Sequence, residues 1–258
     1  MNIPMRRATA RLAMSAISGI AVVIALAGVS PSASAQSATG YCVPDRQISS
    51  TRERGLRWLA RPSVLVLARA DDPRIALVRE GVTFWNDLFA RQGSGFRFGP
   101  VTVVPPQAEI TAWLPRGAAA VLAGEQGQPA DTPAALAGYC GQVVIALADA
   151  NFVSYTKFLV ASGAVVTGIR GLEHAPLDRP NVARNVILHQ LGHAVGLRHN
   201  DIPQTLMCGR PAPCRSDRFE AATPKLFSLN AAERRELSAK YPSDWPKSAN
   251  ARKTARDP

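Results

Sequence analysis

Hydrophobic residues in the stretch 63–104 follow first a strand pattern and then a helix pattern. Residues 63–69 (SVLVLAR) form a short apolar run of the length expected for a buried strand. The next segment has apolar residues at helical spacing, namely Ile75, Val78, Val82, Trp85 and Phe89. Asp72 is predicted to cap that helix, with Pro73 in its first turn. The partly alternating residues 96–104 (FRFGPVTVV) predict a second strand.

The pattern is less regular in the middle of the chain. Residues 105–139 are rich in alanine, proline and glycine, and 118–124 (AAAVLAG) within them could hold a strand. Residues 141–149 (GQVVIALAD) predict a buried strand, and 163–169 (GAVVTGI) predict a further one. A helix is predicted to begin at about Asn181 and to continue into the histidine-rich segment that follows.

The C-terminal part of the chain has a clear helix start. Residues 230–241 (NAAERRELSAKY) predict the last helix, with Asn230 as N-cap and Glu233 at the spacing of a capping box. Residues 246–258 are basic and end in proline, and we expect this tail to be disordered. Strands and helices mixed within one core predict an α/β (α+β) domain over residues 63–245.

The N-terminus has the layout of a secretory signal. Three arginines precede an apolar run over residues 12–29, and an A-S-A sequence ending at Ala35 then provides a small-x-small cleavage site. The alternative is an anchor helix that is retained. We expect residues 1–35 to be a signal peptide, residues 36–62 to be a polar lead-in, and the mature protein to be secreted or periplasmic.

Composition narrows the classes of partner. The segment 1–35 contains three arginines and no acidic residue, so its removal lowers the formal net charge from +11 to +8. The remaining basic residues are scattered without an aromatic-interleaved patch, so we expect no nucleic-acid partner. No second apolar run is long enough to span a bilayer, so we expect no membrane association after cleavage. We expect a monomer.

The cysteines indicate disulfide bonds. All four of them, Cys42, Cys140, Cys208 and Cys214, follow the predicted signal segment. An even number of cysteines in an oxidising compartment predicts two disulfide bonds. Cys208 and Cys214 flank the turn-rich sequence GRPAP, which is short enough to close on itself. Cys42 would then pair with Cys140 by elimination.

Residues 187–201 (ILHQLGHAVGLRHND) contain three of the four histidines of the chain. His189 and His193 are four residues apart, so on a helix both side chains lie on one face and can direct a ring nitrogen at one point. That is the spacing of a zinc site. The alternative is that these are ordinary surface or capping histidines. His174 stands alone and is expected to be a loop residue.

Gly196 provides a way for a third histidine to reach the same point. On a straight helix, His199 would lie about 15 Å along the axis from His189. Gly196 can end the helix in a left-handed conformation that other residues resist, so that the chain reverses and His199 returns to the first two rings. Three neutral imidazoles leave one coordination position for water, as in a catalytic rather than a structural zinc site.

The sequence HQLGHAVGLRH (189–199) resembles the zinc signature H-E-x-x-H-x-x-G-x-x-H of the metzincin metalloproteases at every defined position except the glutamate. The following IPQTLMCG (202–209) resembles the metzincin Met-turn, and the distance from His199 to Met207 is most similar to that in the matrixins, the matrix-metalloprotease branch. Weaker likenesses to matrixin strands and helices extend over about 63–104 and 141–241.

The resemblance implies a metzincin-like catalytic domain, with a twisted mixed sheet, two long helices, an active-site helix and a small C-terminal subdomain. It implies a Zn2+ cofactor bound by His189, His193 and His199, with Met207 forming a hydrophobic floor below the metal. The implied activity is hydrolysis of peptide bonds in a peptide or protein substrate, and residues 208–219 would wall its binding pocket.

A second, partial likeness lies near the N-terminus. YCVPD (41–45) resembles the matrixin cysteine switch, in which a propeptide thiolate occupies the open position on zinc. The arginine before and the glycine after the cysteine in that motif are absent here, so a disulfide role for Cys42 is favoured.

Gln190 occupies the position of the catalytic glutamate. An amide cannot accept a proton near neutral pH, and loss of general acid–base help typically costs about 10²–10⁴ in rate. Another carboxylate could substitute, and the candidates are Asp201, Glu173 and Asp178. Three hypotheses follow: a slow secreted zinc metalloendopeptidase, a zinc-binding pseudoprotease that captures peptides without cleaving them, and a domain of the same fold that binds no metal.

Overall fold

The computed structural model of the protein describes residues 47–51, 55–124, 129, 131–209 and 223–247. The predicted signal segment, Cys42, Cys214 and the tail beyond residue 247 lie outside these residues, so the expectations for them stay predictions. Among the described residues, no helix is long and apolar enough to cross a membrane.

The described part of the chain contains both strands and helices. The strands are β1 (Ile48–Thr51), β2 (Gly55–Trp58), β3 (Ser63–Leu67), β4 (Val101–Val104), β5 (Gln142–Leu147), β6 (Tyr155–Leu159) and β7 (Ala164–Ile169). The helices are α1 (Arg74–Arg91), α2 (Ala108–Leu122), a 3-10 helix (Ala134–Gly138), α3 (Pro180–Ala194) and α4 (Ala231–Lys240).

Five strands form the main sheet in the order β4-β3-β5-β7-β6. Strands β4, β3, β5 and β7 are mutually parallel, and β6 runs antiparallel to β7 at the edge of the sheet. A separate antiparallel pair, β1 and β2, places Ile48 opposite Trp58. The mixed sheet and its helices confirm the predicted α/β class.

Helices cover both faces of the main sheet. On β5, Val143 and Ile145 belong to the apolar cluster that contains the buried residues of α1 and α3. The alternate residues Val144 and Ala146 belong to a second cluster, which contains the buried residues of α2. Because β5 is buried on both faces, its sequence is a continuous apolar run rather than an alternating one.

The segment 118–124 is not a strand, contrary to the sequence-based prediction; most of it belongs to α2. The buried residues of α2 recur at helical spacing and are Ile110, Trp113, Leu114, Gly117, Ala118 and Ala120. Pro115 lies inside the helix, where a proline typically costs about 3 kcal/mol or more. Burial of the apolar face of α2 against the sheet outweighs this cost, so the helix forms. The proline is the reason that the sequence pattern did not predict it.

Three further segments differ from the predictions. The sequence predicts a polar lead-in over 36–62, but β1 and β2 lie within it and Trp58 is fully buried. Strand β4 begins only at Val101. Upstream of it, Phe96 packs against Tyr241 and Trp245 of the C-terminal segment, and Phe98 packs against Phe96. Strand β6 has no counterpart among the predicted elements.

The predicted start of α4 is observed, and α1 begins one residue later than predicted. The side chain of Asn230 accepts a hydrogen bond from the backbone N–H of Glu233 at 2.9 Å, and the Glu233 carboxylate accepts one from the N–H of Asn230 at 2.7 Å. This is a complete capping box. At α1, Asp72 accepts a hydrogen bond from the N–H of Arg74 at 2.9 Å, although the N-cap residue itself is Pro73.

Candidate metal centre

Helix α3 carries the first two histidines on one face. Its opposite face packs against α1, where the indole of Trp85 donates a hydrogen bond to the carbonyl oxygen of Leu188 at 3.0 Å. His189 and His193 lie one helical turn apart, and their ring centroids are 4.6 Å apart. Both rings are partly buried.

The chain reverses at the end of α3. Gly196 has a φ of +88°, in the left-handed region. The N–H of Leu197 donates to the carbonyl oxygen of Gly192 at 3.0 Å and the N–H of Gly196 donates to that of His193 at 2.9 Å, which together form a Schellman motif. A Cβ atom on Gly196 would lie 1.9 Å from the carbonyl oxygen of Leu56, so β2 leaves no room for a side chain. The reversal returns the following residues toward the first two histidines.

Side chains from β2 and the C-terminal segment bind the carbonyl groups that the end of α3 leaves without helical partners. The donor–acceptor pairs are Trp58 Nε1 with Ala194 O at 2.8 Å, Tyr241 OH with Val195 O at 3.1 Å, and Lys240 Nζ with Gly196 O. Because buried carbonyl groups without partners are costly, these three bonds stabilise the point at which the chain reverses.

The three histidine side chains converge. The Nε2 atoms of His189, His193 and His199 are 3.0 Å apart in each of the three pairs. Tetrahedral zinc with Zn–N distances of 2.0–2.1 Å separates its ligand nitrogens by about 3.4 Å, so this spacing suits a single divalent cation. The three residues could therefore bind a metal ion, and no carboxylate of the described residues joins the cluster.

Hydrogen bonds determine which ring nitrogens face one another. Nδ1 of His189 lies 2.7 Å from the carbonyl oxygen of Leu206, and Nδ1 of His193 lies 2.8 Å from that of Leu197. A carbonyl oxygen only accepts, so each Nδ1 carries the proton and each neutral ring presents an Nε2 lone pair. Burial lowers the pKa of His189 to about 4 and that of His193 to about 3. Lone pairs that face each other at 3.0 Å repel, and a shared cation turns that repulsion into ligation.

The ring of His199 packs on Gly209. A Cβ atom on Gly209 would lie 2.2 Å from Cγ of His199, so only a glycine allows this contact. The backbone holds the two segments together, because the N–H of Asn200 donates to Met207 O at 2.9 Å and the N–H of Gly209 donates to Asn200 O at 3.0 Å. The zinc motif does not point to Gly209, and its one signal in the sequence is its place just after the Met-turn-like segment.

Met207 packs beneath α3. Its side chain is fully buried, and a Cβ atom on Gly192 would lie 2.4 Å from its sulfur. Gly192 directly precedes His193, so the thioether lies under the turn of helix that connects the first two histidines. The preceding residue, Leu206, supplies the carbonyl that binds Nδ1 of His189. The Met-turn-like segment thus contacts α3 through both backbone and side chain.

The side chain of Gln190 is buried and points its polar atoms at β6 and the residue before it. Nε2 donates to the carbonyl oxygen of Ser154 at 3.1 Å, and Oε1 accepts from the hydroxyl of Thr156 at 2.9 Å. The Thr156 hydroxyl also lies 2.9 Å from that of Thr167 on β7. Gln190 therefore links α3 to the edge of the main sheet.

The other candidate residues lie outside the cluster. Glu173 is half-exposed, and its carboxylate pairs with Nε2 of His174 at 3.1 Å. Asp178 and Asp201 are exposed. None of these carboxylates, nor His174, joins the three converging histidines.

Two of the predicted disulfide cysteines are described. Cys140 and Cys208 are each disulfide-bonded. The cysteines predicted as their partners, Cys42 and Cys214, lie outside the described residues, so the pairing stays a prediction.

No family model and no curated protein matches the chain. Among solved structures, it is similar to archaemetzincin from Methanopyrus kandleri at 14% identity and a TM-score of 0.39, covering 70% of this chain and 96% of that one. It is also similar to a chain in a structure of a chaperone–substrate complex at 14% identity and a TM-score of 0.35, covering 75% of this chain and 37% of that one. These similarities do not assign the chain to a family.

Proposed function

We propose that the protein binds Zn2+ through His189, His193 and His199 and captures extended peptides beside the metal, with peptide-bond hydrolysis slow or absent. The observation that carries the proposal is the convergence of three Nε2 atoms at 3.0 Å from one another. Neutral imidazoles favour zinc and other transition metals over Mg2+ or Ca2+, which prefer oxygen ligands. A bound Zn2+ supplies Lewis acidity, which acidifies water and polarises a carbonyl group.

The chemistry of Gln190 supports capture rather than efficient cleavage. An amide cannot take up a proton at neutral pH, and both polar atoms of this amide are already bonded to Ser154 and Thr156. No carboxylate of the described residues joins the histidine cluster to act as a base instead. General acid–base help is typically worth about 10²–10⁴ in rate, and that help is missing from this group of residues.

The edge of the main sheet supports a peptide as the ligand. Strand β6 pairs with β7 on one side and, among the residues that the structure describes, ends the order of the sheet on the other. An extended peptide can add to such an edge through its backbone. Because Gln190 of α3 bonds to Ser154 and to Thr156 of β6, a peptide on this edge would lie next to the helix that carries two of the histidines.

Sequence features support the type of site, the location and the class of partner. The distance from His199 to Met207 supports a site of the matrixin type within the metzincin metalloproteases. The signal-like residues 1–35 support a secreted or periplasmic protein, and the scattered basic residues support a peptide or protein partner rather than a nucleic acid.

Metal content and peptide cleavage test the proposal together. Elemental analysis of the purified protein is expected to find one zinc per chain, and calorimetry is expected to detect peptide binding. In a peptide-library assay, Gln190→Glu is expected to cleave roughly 10²–10⁴ times faster than the parent. A parent protein that binds no zinc would refute the proposal. A parent that cleaves as fast as Gln190→Glu shows instead that the protein is a metalloendopeptidase with another base.

A further inference from the structure

Asn200, the residue after the third histidine, is held in place by hydrogen bonds of its side chain. Oδ1 of Asn200 accepts hydrogen bonds from the N–H of Ile202 at 2.7 Å and from the hydroxyl of Thr205 at 3.1 Å. A backbone N–H only donates, so the atom of the Asn200 amide that faces Ile202 must be the oxygen Oδ1. The nitrogen Nδ2 then lies on the opposite side of the amide as a donor. Nδ2 of Asn200 donates to Oε1 of Glu233 at the start of α4.

Glu233 serves two elements at once. Its Oε2 accepts the N–H of Asn230 within the capping box at 2.7 Å, while its Oε1 binds Asn200. The side chain is buried at 6% exposure. Burial raises the pKa of Glu233, and the hydrogen bonds from Asn230 and Asn200 oppose that rise. A buried carboxylate needs such donors, so losing either of them is costly.

The C-terminal end of α4 also binds the chain close to the third histidine. Lys240 and the adjacent Tyr241 donate to the carbonyl oxygens of Gly196 and Val195, at the point where α3 ends. We call the segment 196–200 the third-ligand arm. The C-terminal end of α4 binds the beginning of this arm, and the N-terminal end of α4 binds its last residue. His199 lies in the arm just before Asn200.

We propose that Glu233 is a positioning residue of the metal centre, which orients His199 by anchoring Asn200 to α4. The inference rests on the proposed zinc binding by the three histidines and adds a residue that the zinc motif does not contain. The capping box and the zinc motif, which are independent in the sequence, are one connected unit in the fold.

A polarity swap across this hydrogen bond provides the test. Glu233→Gln leaves one acceptor oxygen for two donors, and Asn200→Asp opposes two carboxylates, so each single variant breaks the contact. In the double variant, the new amide at position 233 can donate to the new carboxylate at position 200 while its oxygen keeps the capping bond, which restores the contact with reversed polarity. Asn230→Asp is the matched control, because it adds a negative charge next to Glu233 but keeps an N-cap side chain and the Asn200 contact.

Zinc affinity and the visible spectrum of bound Co2+ are the readouts, with urea unfolding of each metal-free variant measured in parallel. Each single variant is expected to bind zinc about 10–100-fold more weakly, with a changed Co2+ spectrum that reports an altered coordination geometry. The double variant is expected to recover the parent affinity and spectrum, and Asn230→Asp to retain them.

Three outcomes would overturn the inference. Single variants that bind zinc as tightly as the parent refute a positioning role while leaving the proposed function intact. A double variant that recovers unfolding stability but not zinc affinity or the Co2+ spectrum shows that the contact serves the fold alone. A parent that binds no zinc removes both the inference and the proposed function.

Discussion

Nε2 of Gln190 donates a hydrogen bond to the carbonyl oxygen of Ser154 at 3.1 Å, and so joins the histidine-bearing helix to the residue that precedes the edge strand β6. A carbonyl oxygen accepts only, so this contact requires a donor at position 190. A glutamate of the same length could take over the bond from Thr156 but not the bond to Ser154. Glutamine at this position therefore supports the fold in a way that an ionised glutamate cannot.

The substitution Gln190→Glu is expected to destabilise the metal-free protein even where it accelerates peptide cleavage. The carboxylate would face the Ser154 carbonyl at a site only 6% exposed, at a cost of about 1–3 kcal/mol in the free energy of unfolding. Urea unfolding at pH 7 measures the difference. Gln204→Glu makes the same chemical change on an exposed side chain and is expected to stay within about 0.5 kcal/mol of the parent. Equal losses in both variants would contradict the role of the Ser154 contact.

Removing a converging histidine is expected to abolish tight zinc binding. His199→Ala takes away one of three nitrogens that meet at 3.0 Å, so the loss of affinity should exceed the roughly 10–100-fold typical of changes that only touch a ligand. Competition with a chelator measures the dissociation constants. His174→Ala serves as the control, because its side chain pairs with Glu173 outside the cluster, and its zinc affinity should equal that of the parent.

A single methyl group on Gly209 is expected to displace the third histidine. A Cβ atom there would lie 2.2 Å from Cγ of His199, far closer than atoms can approach, so the ring must move. Gly209→Ala should weaken zinc binding about 10–100-fold. Gly138→Ala is the matched control, because its Cβ atom would meet nothing within 4 Å. Unchanged zinc affinity in Gly209→Ala would show that the ring position is not decisive.

A buried ion pair at the start of α1 is expected to contribute to stability. The guanidinium of Arg74 lies 2.6 Å from the carboxylate of Asp72 and 2.7 Å from that of Asp149, and Asp149 is largely exposed. Asp72→Asn should lower the free energy of unfolding by about 1–3 kcal/mol. Asp149→Asn should cost less than about 1 kcal/mol, because its charge is solvated. Denaturant titration of the two variants measures the contrast.

The contribution of Asp72 is expected to depend on pH. Burial alone would raise the pKa of Asp72, but hydrogen bonds and the charge of Arg74 hold it below its ordinary value. Because the pKa is lower in the folded state, the stabilisation is fully present above about pH 4 and is lost as the pH falls through the folded pKa. The difference between parent and Asp72→Asn should therefore shrink in acid, and a constant difference down to about pH 2 would contradict this origin.

Features that depend on local geometry could be predicted from the order of residues alone. Four residues make about one helical turn, so the spacing of His189 and His193 is enough to place both rings on one face of α3. Left-handed backbone is open to glycine, so Gly196 marked where the chain reverses. The capping box of Asn230 and Glu233 was visible for the same reason, because both partners lie within one turn.

Features that depend on residues distant along the chain could be seen only in the folded protein. Helix α2 continues through Pro115 because its apolar face is buried on the sheet, whereas the proline by itself is a local signal against a helix. Gln190 finds its partner Ser154 across 36 residues, and Asn200 finds Glu233 across 33. These contacts form when helices and sheet pack against one another, and hydrogen bonds between such distant residues leave no periodic trace in a single sequence.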